Sequence, residues 1–231
     1  MNIRALIERG IRMVLDLVYP ERVLCLCCRE RSGGELLCAE CRKRLEALRL
    51  RNDRLDAAKM QIDAADVRAV WRYHNEASQL VRQLKFHCVR NAAEVMAQAM
   101  AEEASRMELP PDTVVTSVAM PGRRIRQRGI DHGRVLAALV AAQLKLPYRP
   151  VLIRAPGGHT QRGLNRQRRL ENLQGRFTAV PLSGESVLLV DDVLTTGATA
   201  AVCTRELLDA GAGAVRVIAA THVIKEEPSD V

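Results

Sequence analysis

Two kinds of apolar pattern alternate along this chain, and together they predict an α/β fold. Val187-Leu188-Leu189-Val190 is an apolar run without polar alternation. That pattern suits a strand buried on both faces of a parallel sheet. Val67 to Tyr73, Thr113 to Val118, Val151 to Ile153 and Val215 to Ala220 read as further strands. Between them, Ser78 to Phe86, Ala92 to Arg106, His132 to Leu144 and Ala200 to Ala210 read as helices, the last ended by Gly211. Strands alternating with helices imply a parallel sheet flanked by helices. Arg49 to Asp66 reads as a polar linker, Pro121 and Gly122 as part of a loop, and Arg154 to Thr160 as a Gly/Pro loop. Asn165 to Asn172 reads as a polar, Arg-rich helix or lid. At the N-terminus, Ile3, Leu6, Ile7, Val14, Leu15 and Val18 have helical spacing, but Arg4, Glu8, Arg9, Arg12 and Asp16 rule out a signal-peptide core. No apolar run is long enough to predict a transmembrane helix, so no membrane insertion is expected.

The buried strand at Val187 runs directly into Asp191-Asp192-Val193-Leu194-Thr195-Thr196-Gly197-Ala198-Thr199. In an open α/β sheet, ligands bind beyond the carboxyl ends of the strands. A glycine-containing turn that opens a helix collects N–H groups able to hold an anion. Thr195, Thr196, Gly197, Ala198 and Thr199 thus form a candidate phosphate cradle. Asp191 and Asp192 beside it can hold hydroxyls or a divalent cation. The spacing Gly-x-x-x-x-Gly-Lys-Ser/Thr does not occur, so the sequence gives no support for nucleoside triphosphate hydrolysis.

A second constellation lies near the N-terminus. Cys25-x-x-Cys28 is followed by Cys38-x-x-Cys41, with Ser32, Gly33 and Gly34 suited to a tight turn between them. Paired knuckles of this kind bring four thiolates around a tetrahedral zinc ion, a closed and therefore structural site. So small a segment has little core of its own, so the metal would stabilise its fold directly. Cys27 could replace Cys25 or Cys28, although the spacing favours the Cys25/Cys28 pair. Cys88 and Cys203 sit among apolar residues and read as buried thiols. Seven cysteines used in this way point to a cytoplasmic protein rather than a disulfide-bonded one.

Composition sharpens the picture. The 231 residues are 48% hydrophobic but only 3% aromatic, so the core must be built from Leu, Val, Ile and Ala. Two units are expected: an N-terminal helix and zinc segment over 1–48, and an α/β domain over 67–225. The formal net charge is +8. From Ala119 to Arg176 there are thirteen Arg and Lys against two acids, Asp131 and Glu171, so this block is strongly basic and the remainder slightly acidic. A block like that suits pyrophosphate, phosphates or nucleic acid.

The Asp191–Thr199 segment resembles the 5-phosphoribosyl-1-pyrophosphate (PRPP) signature of the type I phosphoribosyltransferases. With the cysteine knuckles, Leu84-Lys85-Phe86, Gln127-Arg128-Gly129, Thr160-Gln161-Arg162-Gly163-Leu164 and Arg166 to Asn172 in this order, the chain is similar to the ComF family. That family resembles amidophosphoribosyltransferases and is linked to DNA uptake in natural transformation. Two segments depart from its pattern. Arg128-Gly129-Ile130-Asp131-His132 stands for Arg-Gly-Phe-Asn-Gln, and Ser117-Val118-Ala119-Met120-Pro121 for a Val-Pro-Val-Pro entry.

The resemblance implies that Asp191 and Asp192 address the ribose hydroxyls and Thr195 to Thr199 the 5′-phosphate. It further implies that Arg123, Arg124 or Arg128 holds pyrophosphate, that Arg162 and Arg166 close as a lid, and that magnesium accompanies PRPP. Three functional readings follow: a pentosyl-transferring phosphoribosyltransferase, a non-catalytic binding protein on the same fold, and a DNA-processing protein that engages single-stranded DNA or a DNA-uptake helicase.

Overall fold

A computed structural model describes residues 24–50, 55–87, 89–155, 173 and 175–224. Its centre is a four-stranded parallel sheet. The strands are β1 (Asp66–Arg72), β2 (Val114–Ser117), β5 (Ser186–Leu194) and β6 (Ala214–His222), in the order β1-β6-β5-β2. Two further strands, β3 (Leu152–Arg154) and β4 (Phe177–Ala179), pair antiparallel as a separate small sheet. The helices are α1 (Ala39–Ala47), α2 (Asn75–Phe86), α3 (Val89–Ala104), α4 (Gly122–Arg128), α5 (His132–Leu144) and α6 (Ala198–Asp209).

The uninterrupted apolar strands are buried on both faces, as their pattern requires. Leu188, Val190, Ile218 and Ala220 pack with α2, α3 and α5 on one side. Val187, Leu189, Val215, Val217 and Ala219 pack with α6, β3 and β4 on the other. Successive residues of one strand thus enter opposite cores, which is the two-residue period of a strand.

The four-cysteine segment shares the first of these cores. Cys25, Leu26, Cys27, Leu37, Cys41 and Leu45 belong to the same buried cluster as Leu80, Leu84 and Met96. The stretch from Arg49 to Asp66 is not a free linker in its described part, which corrects the sequence reading. The Leu50 N–H donates to Val70 O at 2.8 Å and the Leu55 N–H to Val67 O at 2.8 Å, so this stretch pairs with the outer edge of β1. An open strand edge exposes unpaired N–H and C=O groups, and here the connecting chain satisfies them. Met60 and Ile62 then turn into the second core.

Other differences are local. Gly122 to Arg128 forms a helix instead of a loop, with no buried residue to give it a periodic signature. β5 continues through both aspartates to Leu194, and β4 is too short to show a period. The expected N-terminal helix, the Gly/Pro loop beyond residue 155, the lid and Cys88 lie outside the described residues.

Candidate functional site

Cys25, Cys28, Cys38 and Cys41 converge, with all four Sγ atoms within 4.8 Å of one another. The Cys28 and Cys38 sulfurs are 3.7 Å apart. Four thiolates at about 2.3 Å from a zinc ion would be separated by roughly 3.8 Å, so these donors fit that metal. Cys38 also caps α1, accepting the Cys41 N–H at 3.5 Å, which holds two of the donors in register. Burial works to raise the Cys25 pKa, but hydrogen bonds from the main chain at Cys38, Cys28 and Cys27 outweigh it and bring it down to about 7. Cys27 is not part of the cluster. Its thiol donates to Glu76 O at 3.8 Å, so the spacing argument for the Cys25/Cys28 pair holds.

The second constellation forms a cleft of about 440 Å³ at the carboxyl end of the sheet. Asp191 and Asp192 line it where β5 leaves the core, joined by Thr195 and Thr199. The Asp192 N–H donates to Asp191 Oδ1 at 2.8 Å. Gly197 caps α6 with φ +77°, and a Cβ there would lie 3.1 Å from Met60 Cβ and 3.2 Å from Ile62 Cδ1. The turn therefore needs glycine both for its backbone and for the close approach of the chain that covers it. Ala198 is buried as the first residue of α6, and Thr196 Oγ1 is buried without a hydrogen-bond partner.

The opposite wall is cationic. Lys85 comes from the last turn of α2, Arg124 and Arg128 from α4, and Arg154 from the end of β3. Lys85 Nζ lies 2.8 Å from Asp192 Oδ1, and His132 Nε2 lies 3.2 Å from Asp192 Oδ2. Arg128 Nη1 approaches His132 Nδ1 at 3.1 Å, and its guanidinium sits 4.9 Å over the Phe86 ring. Asp131 caps α5 by accepting the Arg134 N–H, which places His132 in the first turn facing the cleft.

These contacts separate the two carboxyls. Burial, then the neighbouring Asp192 charge, pushes Asp191 up to about 7. Burial acts on Asp192 in the same direction, but the His132 hydrogen bond and the Lys85 ammonium outweigh it and hold its pKa below the ordinary value. Burial, then repulsion from Arg124, lowers the pKa of Arg154. Arg154 Nε is buried without a hydrogen-bond partner, and its guanidinium lies 4.8 Å over the Phe177 ring.

Of the residues expected from sequence, Asp191, Asp192, Thr195, Thr199, Arg124 and Arg128 line one cleft, whereas Arg123 is exposed on α4 and does not. Arg162 and Arg166 lie outside the described residues. Sequence reasoning assigned no role to Lys85, His132 or Arg154. A signal for Lys85 was available: it is a cation directly after Leu80, Val81 and Leu84, the buried face of its helix.

No family model matches the chain. It is 33% identical over 152 residues to the DNA utilization protein YhgH of Salmonella typhi, and 31% identical over 153 residues to that of Escherichia coli. Each match takes in 63% of this chain and 66% of the relative, so the chain spans just under two thirds of the length of these relatives. Among solved structures, the allosteric regulatory enzyme of purine biosynthesis overlays at TM-score 0.39 and 25% identity, over 55% of this chain and 25% of that one. Adenine phosphoribosyltransferase from Thermoanaerobacter pseudethanolicus overlays at TM-score 0.37 and 16% identity, over 63% of this chain and 73% of that one. The parallel sheet, with its Asp-Asp strand end turning into α6, defines the class on its own: a phosphoribosyltransferase-like α/β protein. In sequence the chain is similar to these DNA utilization proteins, and its four-cysteine cluster agrees with the resemblance to the ComF family.

Proposed function

We propose that the cleft binds a ribosyl 5-phosphate, with PRPP as the fullest ligand. One observation carries this reading: a carboxylate pair, Thr195 and Thr199 of the turn that opens a helix, and a cationic wall all line a single cleft. Thr195 to Thr199 would hold the 5′-phosphate through hydroxyls and α6 N–H groups. Asp191 and Asp192 would address the ribose hydroxyls. Arg124, Arg128 and Arg154 would receive the pyrophosphate, with Arg123 at the rim and Arg162 and Arg166 closing over it. Displacement at ribose C1 develops positive charge on the sugar and negative charge on the leaving group, so positioning and a fixed cationic wall are what this chain can contribute.

Magnesium, which the family resemblance implies, would supply charge neutralisation on the departing pyrophosphate. The cleft offers it no open protein carboxylate at Asp192, both of whose oxygens are engaged. The described cysteines are free thiols, in keeping with a cytoplasmic location. Among the described residues, no helix is long and apolar enough to cross a membrane.

Incubation with PRPP, magnesium and a panel of nucleobases, followed by assay of released pyrophosphate, tests turnover. Calorimetry with PRPP tests binding, and absence of binding rejects the reading. The name of the sequence relatives favours a second reading, in which the basic block holds single-stranded DNA or a helicase partner in DNA utilization without turnover. Salt-sensitive DNA affinity without pyrophosphate release distinguishes it.

A further inference from the structure

The ribosyl-phosphate reading leaves Lys85 without a role. Lys85 is the last cation of α2, its side chain is 24% exposed, and its ammonium lies against Asp192 Oδ1. His132 takes the other oxygen from a position only 6% exposed. Asp191 Oδ1 is occupied by the Asp192 N–H. Two adjacent carboxylates at a strand end would ordinarily draw a divalent cation, because oxygen donors of one sign accumulate there. Here that attraction is already answered. The cleft lining holds four basic side chains, Lys85, Arg124, Arg128 and Arg154, against the two aspartates. A divalent cation entering alone would have to displace an ammonium from a 2.8 Å contact and would meet a net positive surrounding. Magnesium sheds its water reluctantly and is usually held through the phosphates of a substrate, so the exchange is unfavourable.

We infer that Lys85 is the resident counter-cation of the Asp191–Asp192 pair, and that the cleft binds the sugar-phosphate end of its ligand without a divalent cation. The inference rests on the ribosyl-phosphate reading for its ligand, but its charge argument concerns the ligand-free cleft. Ammonium and ribose hydroxyls are both hydrogen-bond donors to carboxylate oxygens. The sugar therefore has to share Asp192 with Lys85 or take Asp191, and metal is required for neither. Any magnesium that PRPP brings would neutralise charge on its pyrophosphate.

Ribose 5-phosphate, which lacks the pyrophosphate, is the probe, titrated by calorimetry in EDTA and in millimolar magnesium. The intact protein should bind it with affinities that agree within about twofold, well under the 1.4 kcal/mol of a tenfold change. Lys85→Ala should bind more weakly in EDTA and recover with magnesium, while Lys85→Arg should remain metal-independent. A purely structural role for Lys85 would not move this metal dependence, and melting curves check that each variant folds. Magnesium strengthening wild-type binding tenfold or more overturns the inference, as does a Lys85→Ala variant that matches wild type in EDTA.

A second arm needs no sugar ligand. Manganese, which favours carboxylate oxygen, is titrated into ligand-free protein and followed by electron paramagnetic resonance. Wild type should bind none that Asp192→Asn removes, whereas Lys85→Ala should gain such a site. If neither ribose 5-phosphate nor PRPP binds, the ribosyl-phosphate reading fails and this arm alone decides for Lys85. A manganese site in wild type that Asp192→Asn abolishes overturns its role as counter-cation.

Discussion

The Cys27 thiol donates to the main-chain oxygen of Glu76 at 3.8 Å, so it turns away from its own knuckle and into α2. Burial, then the charges of Cys25 and Glu76, pushes this thiol up to about 12, so it remains protonated while its neighbours can ligate metal. Five cysteines crowd into seventeen residues of sequence, and this one contact shows which of them stands apart.

Cys38→Ser should therefore lose zinc and Cys27→Ser should keep it. Elemental analysis after extensive dialysis should give about one zinc per wild-type chain, little in Cys38→Ser, and the full complement in Cys27→Ser and Cys203→Ser. Because the cluster's backbone also feeds the core around Leu80 and Leu84, metal loss should lower the melting midpoint of the whole protein.

Saturating PRPP should stabilise the protein. At about one hundred times its dissociation constant a ligand contributes roughly 2.7 kcal/mol, which for a chain of this size raises the melting midpoint by about 5–10 °C. Asp191→Asn with Asp192→Asn should abolish the shift in differential scanning fluorimetry. An unchanged shift would relocate the site.

Gly197→Ala should destabilise the turn that opens α6. The backbone is at φ +77° and the new Cβ would press on Met60 and Ile62. A cost of about 1–3 kcal/mol is expected from such a conformation and contact. Gly175→Ala, at φ +67° with open space around it, should cost less. Urea denaturation of the two variants compares them directly.

Asp191 should give the protein a pH-dependent stability. Its folded-state pKa is raised from 3.8 to about 7, so the folded state holds the proton more tightly than the unfolded chain does. The resulting stabilisation is fully present below pH 3.8 and is lost as the pH rises through about 7. Asp192, held low, contributes in the opposite sense: its stabilisation is lost as the pH falls through its depressed folded pKa. Melting midpoints measured across this range should decline less with rising pH in Asp191→Asn than in wild type.

Single-stranded DNA binding through the cleft's basic wall would be strongly salt-dependent. Six neutralised phosphates would give a log–log slope of about −4. Replacing Arg124, Arg128 and Arg154 with Gln should flatten it by about two units, and PRPP should compete if both ligands use the same groove. Titrations of labelled oligonucleotide at several salt concentrations measure this. No binding at low salt would remove the direct DNA reading.

Much of the architecture was legible along the chain because it is encoded locally. An apolar run such as Val187–Val190 carries its double burial in its own composition, and α5 from His132 to Leu144 has the bounds its spacing predicts. The knuckles are legible for a similar reason: two-residue spacing alone brings two thiols of one turn together. The Arg49–Asp66 stretch misled because Leu50, Met60 and Ile62 are scattered among polar residues, and only the edge of β1 and the turn at Gly197 give them something to cover.

By itself the sequence determined the α/β class, the paired cysteine knuckles, and the strand-to-turn segment carrying Asp191, Asp192 and Thr195 to Thr199. Each of these is a short-range pattern whose physics needs only neighbouring residues. The tertiary structure alone decided that Lys85 and His132, distant in the chain, take the two oxygens of Asp192, and that Arg154 joins Arg124 on the facing wall. Charge acts through space at a few ångströms, and which charges come that close depends on how the helices pack against the end of the sheet, a relationship that no spacing along the chain records.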